Sequence, residues 1–183
     1  MRSYKTLLAY AFAILAFSFT SVNAQSFSDT KSGRTLEQNI ERQILRMPRY
    51  EVFDLIKFRV DGDTVTLSGK VRNAINKSDA ENRVEDLPGV ARVVNNIEVL
   101  PLGSFDESIR RDLYRRLANS GGLYRYLWHT NPSVRLIVDR GHVTLEGYVA
   151  NKGDYNLMNV YANGVPNVFS VTNNLIINDG KVR

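Results

Sequence analysis

Val60-Asp61-Gly62-Asp63-Thr64-Val65-Thr66-Leu67-Ser68-Gly69-Lys70-Val71 returns 78 residues later as Val138-Asp139-Arg140-Gly141-His142-Val143-Thr144-Leu145-Glu146-Gly147-Tyr148-Val149. The shift holds without a gap beyond these stretches. Pro88, Val90, Val93, Asn95 and Asn96 correspond to Pro166, Val168, Val171, Asn173 and Asn174, and 13 of 40 aligned positions are identical. One constant offset at that level marks a duplicated supersecondary unit.

Each copy reads as the same string of elements. In copy one, Ile56, Phe58 and Val60 alternate with Lys57 and Arg59, the period of a half-buried strand. Asp61-Gly62-Asp63 turns the chain, and Val65, Leu67, Gly69 and Val71 alternate on the way back. Copy two repeats this with Val134, Leu136 and Val138, the turn Asp139-Arg140-Gly141, then Val143, Leu145, Gly147 and Val149. An amphipathic helix precedes each hairpin. Thr35 and Gln38 predict a capping box ahead of Leu36, Ile40, Ile44 and Met47; Ser104 and Glu107 predict another ahead of Ile109, Leu113 and Leu117. A second helix follows near 75–86 and 154–163, and a last strand runs over 93–99 and 171–177. A helix between the last two strands predicts a parallel pair joined by a right-handed crossover. The fold class is therefore α+β: two tandem αββαβ modules, each a three-stranded mixed sheet with two helices on one face.

Gly69 and Gly147 sit inside strands at the same phase, which predicts close approach of another backbone, a helix crossing the sheet being the natural neighbour. Gly89 follows Pro88 at the turn into the last strand, and Asn167 takes its place in copy two, as asparagine tolerates positive φ.

Outside the repeat, Arg2 and Lys5 precede an uncharged apolar stretch, Thr6 to Phe19, and Val22-Asn23-Ala24 offers small residues for cleavage. Residues 1–24 thus read as a signal peptide, too short in its apolar run to span a bilayer. The polar segment 25–34 reads as a flexible arm, with modules at 35–100 and 104–178. The chain has no cysteine, so neither a lipidation site nor disulfides are expected, and the location expected is the periplasm. The formal charge is +5, and the excess of basic residues lies in the second half.

The pattern V-T-L-x-G-x-V, then P-G-V or P-N-V, then V-x-N-x-I/L-x-V resembles the BON (bacterial OsmY and nodulation) family. It is carried by Val65 to Val71, Pro88-Gly89-Val90 and Val93 to Val99, and again by Val143 to Val149, Pro166-Asn167-Val168 and Val171 to Ile177. The resemblance implies a cell-envelope protein linked to osmotic stress and phospholipid interfaces, with no catalytic residues. Asn167 departs from the family's glycine, and an insertion of about nine residues, Gly121 to His129, lengthens copy two.

Little in the chain speaks for bond-making chemistry. Two histidines, His129 and His142, without cysteine do not compose a zinc site. No triad spacing or phosphate loop is recognisable, and Asp61, Asp63 and Asp139 are read as turn formers. No enzyme activity, cofactor, metal or small-molecule substrate is expected, and export argues against nucleic acid. The candidate site is a surface. Arg110, Arg111, Arg115 and Arg116 are read on the helix face away from Ile109, Leu113 and Leu117, with Tyr124, Arg125, Tyr126 and Trp128 in the insertion behind them. Guanidinium groups beside amphipathic rings suit an anionic phospholipid surface. The alternative is an envelope protein-protein or structural module without lipid affinity, in which these aromatics pack between the modules.

Overall fold

The structure, a computed structural model, describes residues 34–128 and 131–178. The proposed signal peptide and nearly all of the arm lie outside the described residues, as does His129. The first module runs α1 (Leu36–Leu45), β1 (Leu55–Asp61), β2 (Thr64–Val71), α2 (Ala74–Glu85), β3 (Arg92–Val99). The second runs α3 (Ser104–Asn119), β4 (Val134–Asp139), β5 (His142–Val149), α4 (Lys152–Asn163), β6 (Ser170–Ile177), with a short 3-10 turn at Leu123–Tyr126. The sheets have the orders β1-β2-β3 and β4-β5-β6, the first pair antiparallel and the second parallel in each. The register repeats with the sequence: Phe58 faces Leu67 as Leu136 faces Leu145.

Thr35 and Gln38 form the expected capping box, each side chain bonding the other's backbone amide. The second box does not form. Gly103 is the N-cap of α3 and makes no side-chain cap bond. The helix starts at Ser104, which leaves that serine inside the first turn instead of at the extended position a box requires.

The two strand glycines have φ of 118° each. A Cβ at Gly69 would collide with the carbonyl oxygen of Leu55, and one at Gly147 with that of Ser133. The close neighbour is thus the backbone of the antiparallel partner strand and not a crossing helix, which corrects the expectation from sequence. Gly89 and Asn167 hold φ of 93° and 67° at the turn into the last strand.

β3 and β6 are edges. Arg92 and Leu100 donate their amides to Asp63 and Val71, so even-numbered amides of β3 face β2 and the Ile97 amide faces outward. The side chain of Asn95 takes that amide at 3.2 Å, and Asn173 takes the Leu175 amide at 3.2 Å in the same way. The side-chain amide of Asn95 is held in turn by the Lys77 carbonyl at 3.0 Å.

Each module has its own core, the first built on Ile40, Ile44, Val65, Leu67, Ala80, Val84 and Ile97. The second, around Ile109, Leu113, Leu117, Leu136, Leu145 and Met158, takes in Val52 from the loop between α1 and β1, with Phe53 packed against it.

Candidate functional site

The loop that supplies Val52 is shaped by one buried carboxylate. Asp54 accepts the amides of Glu51 at 2.9 Å and Arg72 at 2.7 Å, and the side-chain amide of Asn76 at 3.0 Å. Burial pushes its pKa up, while the two backbone donors pull it down. With the loop so bent, the Val52 carbonyl accepts the Leu136 amide on the edge of β4, and the Phe53 ring lies 6.2 Å from that of Tyr114 on α3. Arg135, buried on β4, donates to the Glu51 carbonyl at 2.8 Å and lies over the Tyr50 ring at 4.1 Å. Burial lowers its pKa from the ordinary arginine value, opposed by the nearby Tyr50 and Asp54 side chains. Sequence reasoning did not single out Asp54 or Arg135. Asp54 lies in a loop and Arg135 at the strand phase opposite Val134, Leu136 and Val138, so neither position stood out in the pattern.

The insertion in copy two reproduces this arrangement with a different acid. Ala150 and Asp154 stand where Arg72 and Asn76 stand in copy one, 78 residues on. The Tyr126 hydroxyl accepts the Ala150 amide at 2.9 Å and donates to the Asp154 carboxylate at 2.6 Å. The carboxylate has moved from the loop to the helix, and a tyrosine bridges the gap. Tyr126 is consequently buried, together with Leu123 and Leu127, so it is not a surface residue as read from the sequence. Arg125 donates to both Tyr126 and Asp154 and remains half exposed.

Arg110 is the second correction. It is 2% exposed, and its guanidinium donates to the Val138 carbonyl at 2.7 Å and approaches Glu107 at 3.4 Å. It lies four residues after buried Asp106 and three before Leu113, within the inward stripe of α3. Its neighbour Asp106 clamps the hairpin turn, taking the amides of Arg140 and Gly141 at 2.8 Å each.

What α3 does present is Arg111, Arg115 and Arg116, all exposed, with Asp112 3.5 Å from Arg115. After the helix come Tyr124 and Trp128, whose rings meet edge to face at 4.6 Å. Trp128 is 46% exposed. The insertion therefore splits: Leu123, Tyr126 and Leu127 pack inward, while Tyr124 and Trp128 face out.

A cleft of about 530 Å³ lies between the sheets of the two modules, lined by Leu55, Lys57, Lys70, Ile137, Asp139 and Glu146 among others. Two ion pairs cross it, Lys70–Asp139 at 2.6 Å and Lys57–Glu146 at 3.0 Å. The hydrogen bond from Lys70 holds the Asp139 carboxyl below the usual carboxylate range. At the cleft's rim, His142 Nδ1 sits 2.7 Å from the Ser170 hydroxyl, both exposed. A serine and histidine alone do not compose an acyl-transfer site, which also needs an orienting acid and oxyanion donors. Among the described residues no group of three potential metal ligands occurs, and no helix is long and apolar enough to cross a membrane.

The BON domain model matches residues 32–101 and again 105–179, most of the chain. The chain belongs to the BON domain family. BON domains in general are non-catalytic, mediate membrane or protein interactions and are associated with binding roles at the envelope and in the periplasm. Among solved structures, the chain is similar to the C-terminal domain of CdsD, a structural protein of the type III secretion system of Chlamydia trachomatis. Identity is 20% and the TM-score 0.32, over 81% of this chain and 67% of that one. A second structure of CdsD is matched at 17% identity and a TM-score of 0.28, over 79% and 94%. No curated protein matches the chain.

Proposed function

We propose that this tandem BON protein is an exported, non-enzymatic binding protein of the envelope that contacts anionic phospholipid through its second module. The signal peptide at 1–24 directs it to the periplasm, unlipidated, and the family's link to osmotic or envelope stress suggests when it is needed. The observation that carries the reading is the outward Tyr124–Trp128 pair beyond a helix that exposes Arg111, Arg115 and Arg116. Aromatic rings with one polar edge settle at headgroup level, and each arginine near an anionic surface contributes about 1 kcal/mol, more at low salt. Arg125 belongs to this surface with its free half, while Arg110 and Tyr126 support it from beneath.

Vesicle sedimentation tests this. The protein should pellet with phosphatidylglycerol-containing vesicles at low salt and leave them as salt rises. Changing Arg111, Arg115 and Arg116 to glutamine should weaken binding by about tenfold or more. Trp128 fluorescence should shift to the blue on binding. A protein that ignores anionic vesicles at low salt ends the proposal, and triple-variant binding equal to the parent's ends the assignment of the patch.

A further inference from the structure

The cleft between the two sheets has polar groups of two kinds. Lys57, Lys70 and Glu146 are engaged in the ion pairs that cross it. Asp139 is engaged through one oxygen only. Its Oδ2 accepts from Lys70 at 2.6 Å, while its Oδ1 is buried and makes no hydrogen bond. Arg140 Nη1 lies 3.8 Å from that oxygen, beyond hydrogen-bond reach. The Arg140 side chain is 77% exposed, and its guanidinium makes no hydrogen bond either. Thr144 lines the same cleft with a hydroxyl in the same condition. The apolar wall is Leu55 from β1 and Ile137 from β4, the latter 4% exposed on the sheet face away from its own core. A volume of about 530 Å³ with an apolar wall and a few convergent polar groups is that of a small-molecule site.

A second observation falls on the same residue. Arg140 holds φ of 49° in the hairpin turn, where copy one has Gly62 at 61°. Glycine adopts that conformation freely and arginine does so at a cost. Backbone strain of this kind gathers where a side chain is held for a task.

We propose that the cleft binds a small zwitterion, an amino acid with an apolar side chain. Its ammonium donates to Asp139 Oδ1, its carboxylate takes the Arg140 guanidinium and the Thr144 hydroxyl, and its hydrocarbon lies against Leu55 and Ile137. The exposed Arg140 side chain swings aside to admit the ammonium and closes on the carboxylate. Charge selects the class. A lone carboxylate would face Asp139, which Lys70 keeps ionised, and a lone amine would face Arg140, Lys57 and Lys70. A ligand with both charges answers both, and the planar fork of arginine suits a carboxylate. The exposed arginines of α3 and Trp128 take no part, so the inference does not rest on the lipid reading.

The test titrates isotope-labelled protein with L-leucine. The amide signals of Arg140 and Thr144 and the methyls of Ile137 should shift saturably, with a Kd of about 1 mM or tighter. Isocaproate, which lacks the ammonium, and isoamylamine, which lacks the carboxylate, should each bind at least tenfold more weakly. Arg140→Gly restores the residue of copy one, relieves the strained φ and keeps the fold, yet should weaken leucine binding at least tenfold. A thermal melt confirms that the variant is folded. No saturable shift with L-leucine would overturn the proposal, as would undiminished binding by Arg140→Gly. Isocaproate binding equal to that of leucine would make the cleft a plain anion site and overturn the role given to Asp139.

Discussion

The carbonyl of Val52 accepts the amide of Leu136 at 2.8 Å, so a loop of the first module closes the sheet edge of the second. The Val52 side chain is part of the second hydrophobic core. The modules therefore share a joint that neither completes alone.

From that joint follows a single unfolding transition. Val52→Ala should cost about 2 kcal/mol through lost packing, and Val52→Asp about 3 kcal/mol or more by burying an unpaired carboxylate. Urea denaturation followed by far-ultraviolet dichroism and by fluorescence of Trp128, the sole tryptophan, should give coincident midpoints in parent and variant. Two separated midpoints in the parent would show that the joint does not couple the modules.

Arg110 and Arg111 are neighbours with opposite fates. Arg110→Leu leaves the Val138 carbonyl without its donor and should destabilise by about 2 kcal/mol. Arg111→Gln should change stability by less than about 0.5 kcal/mol, its effect falling on vesicle affinity instead. Equal stability losses for the two would contradict the burial that separates them.

The strand glycines are the least replaceable positions in each hairpin. Gly69→Ala or Gly147→Ala combines positive φ with a collision against a neighbouring carbonyl and should cost about 3 kcal/mol or more. Arg140 holds φ 49° where copy one has Gly62, and Arg140→Gly should stabilise by about 0.5–1 kcal/mol. Thermal melts of the three variants suffice, and a stable Gly147→Ala would refute the reading.

The acid limb of the stability curve carries two opposing signs. Asp139 has a lowered pKa, so its contribution is present above the unfolded value of about 3.9 and is lost as pH falls through the folded one. Asp54 has a raised pKa, so it costs stability above its folded value, and that cost vanishes as pH falls below the unfolded one. Lys70→Gln should therefore flatten the acid loss below about pH 4, leaving the gain from Asp54 more visible. Identical acid limbs in variant and parent would mean that Lys70 does not set the Asp139 pKa in solution.

Asn95 and Asn173 each occupy one outward amide on the β3 and β6 edges, one way to discourage strand-to-strand association there. Asn95→Val or Asn173→Val should raise concentration-dependent association seen by light scattering. Association no greater than the parent's in both valine variants would remove that role.

Local pattern went a long way in this chain because the fold is local and used twice. Alternating valines and leucines name the strands, Pro88 and Pro166 close the second helices, and one offset fixes register in both sheets. The candidate surface was only partly legible. Eight residues were expected on it, yet Arg110 and Tyr126 turn inward. Helical phase alone marks Arg110 as inward only when the centre of the buried stripe is known, and Asp106, itself buried, shifts that centre toward it. Tyr126 is buried because its hydroxyl replaces a carboxylate that copy one keeps at Asp54, an exchange between sites 72 residues apart.

Side-chain chemistry and spacing along the chain were enough to establish the duplication, the order of elements, the pairing of strands and the membership of the BON family. These depend on contacts between near neighbours, and a repeated pattern states them twice. How the modules are joined was decided only in three dimensions. Val52 crossing into the second core, Arg135 stacked on Tyr50 and the ion pairs over the cleft each link residues about 70 to 90 positions apart. Such contacts follow from packing two finished surfaces together, and no periodicity within either half encodes them.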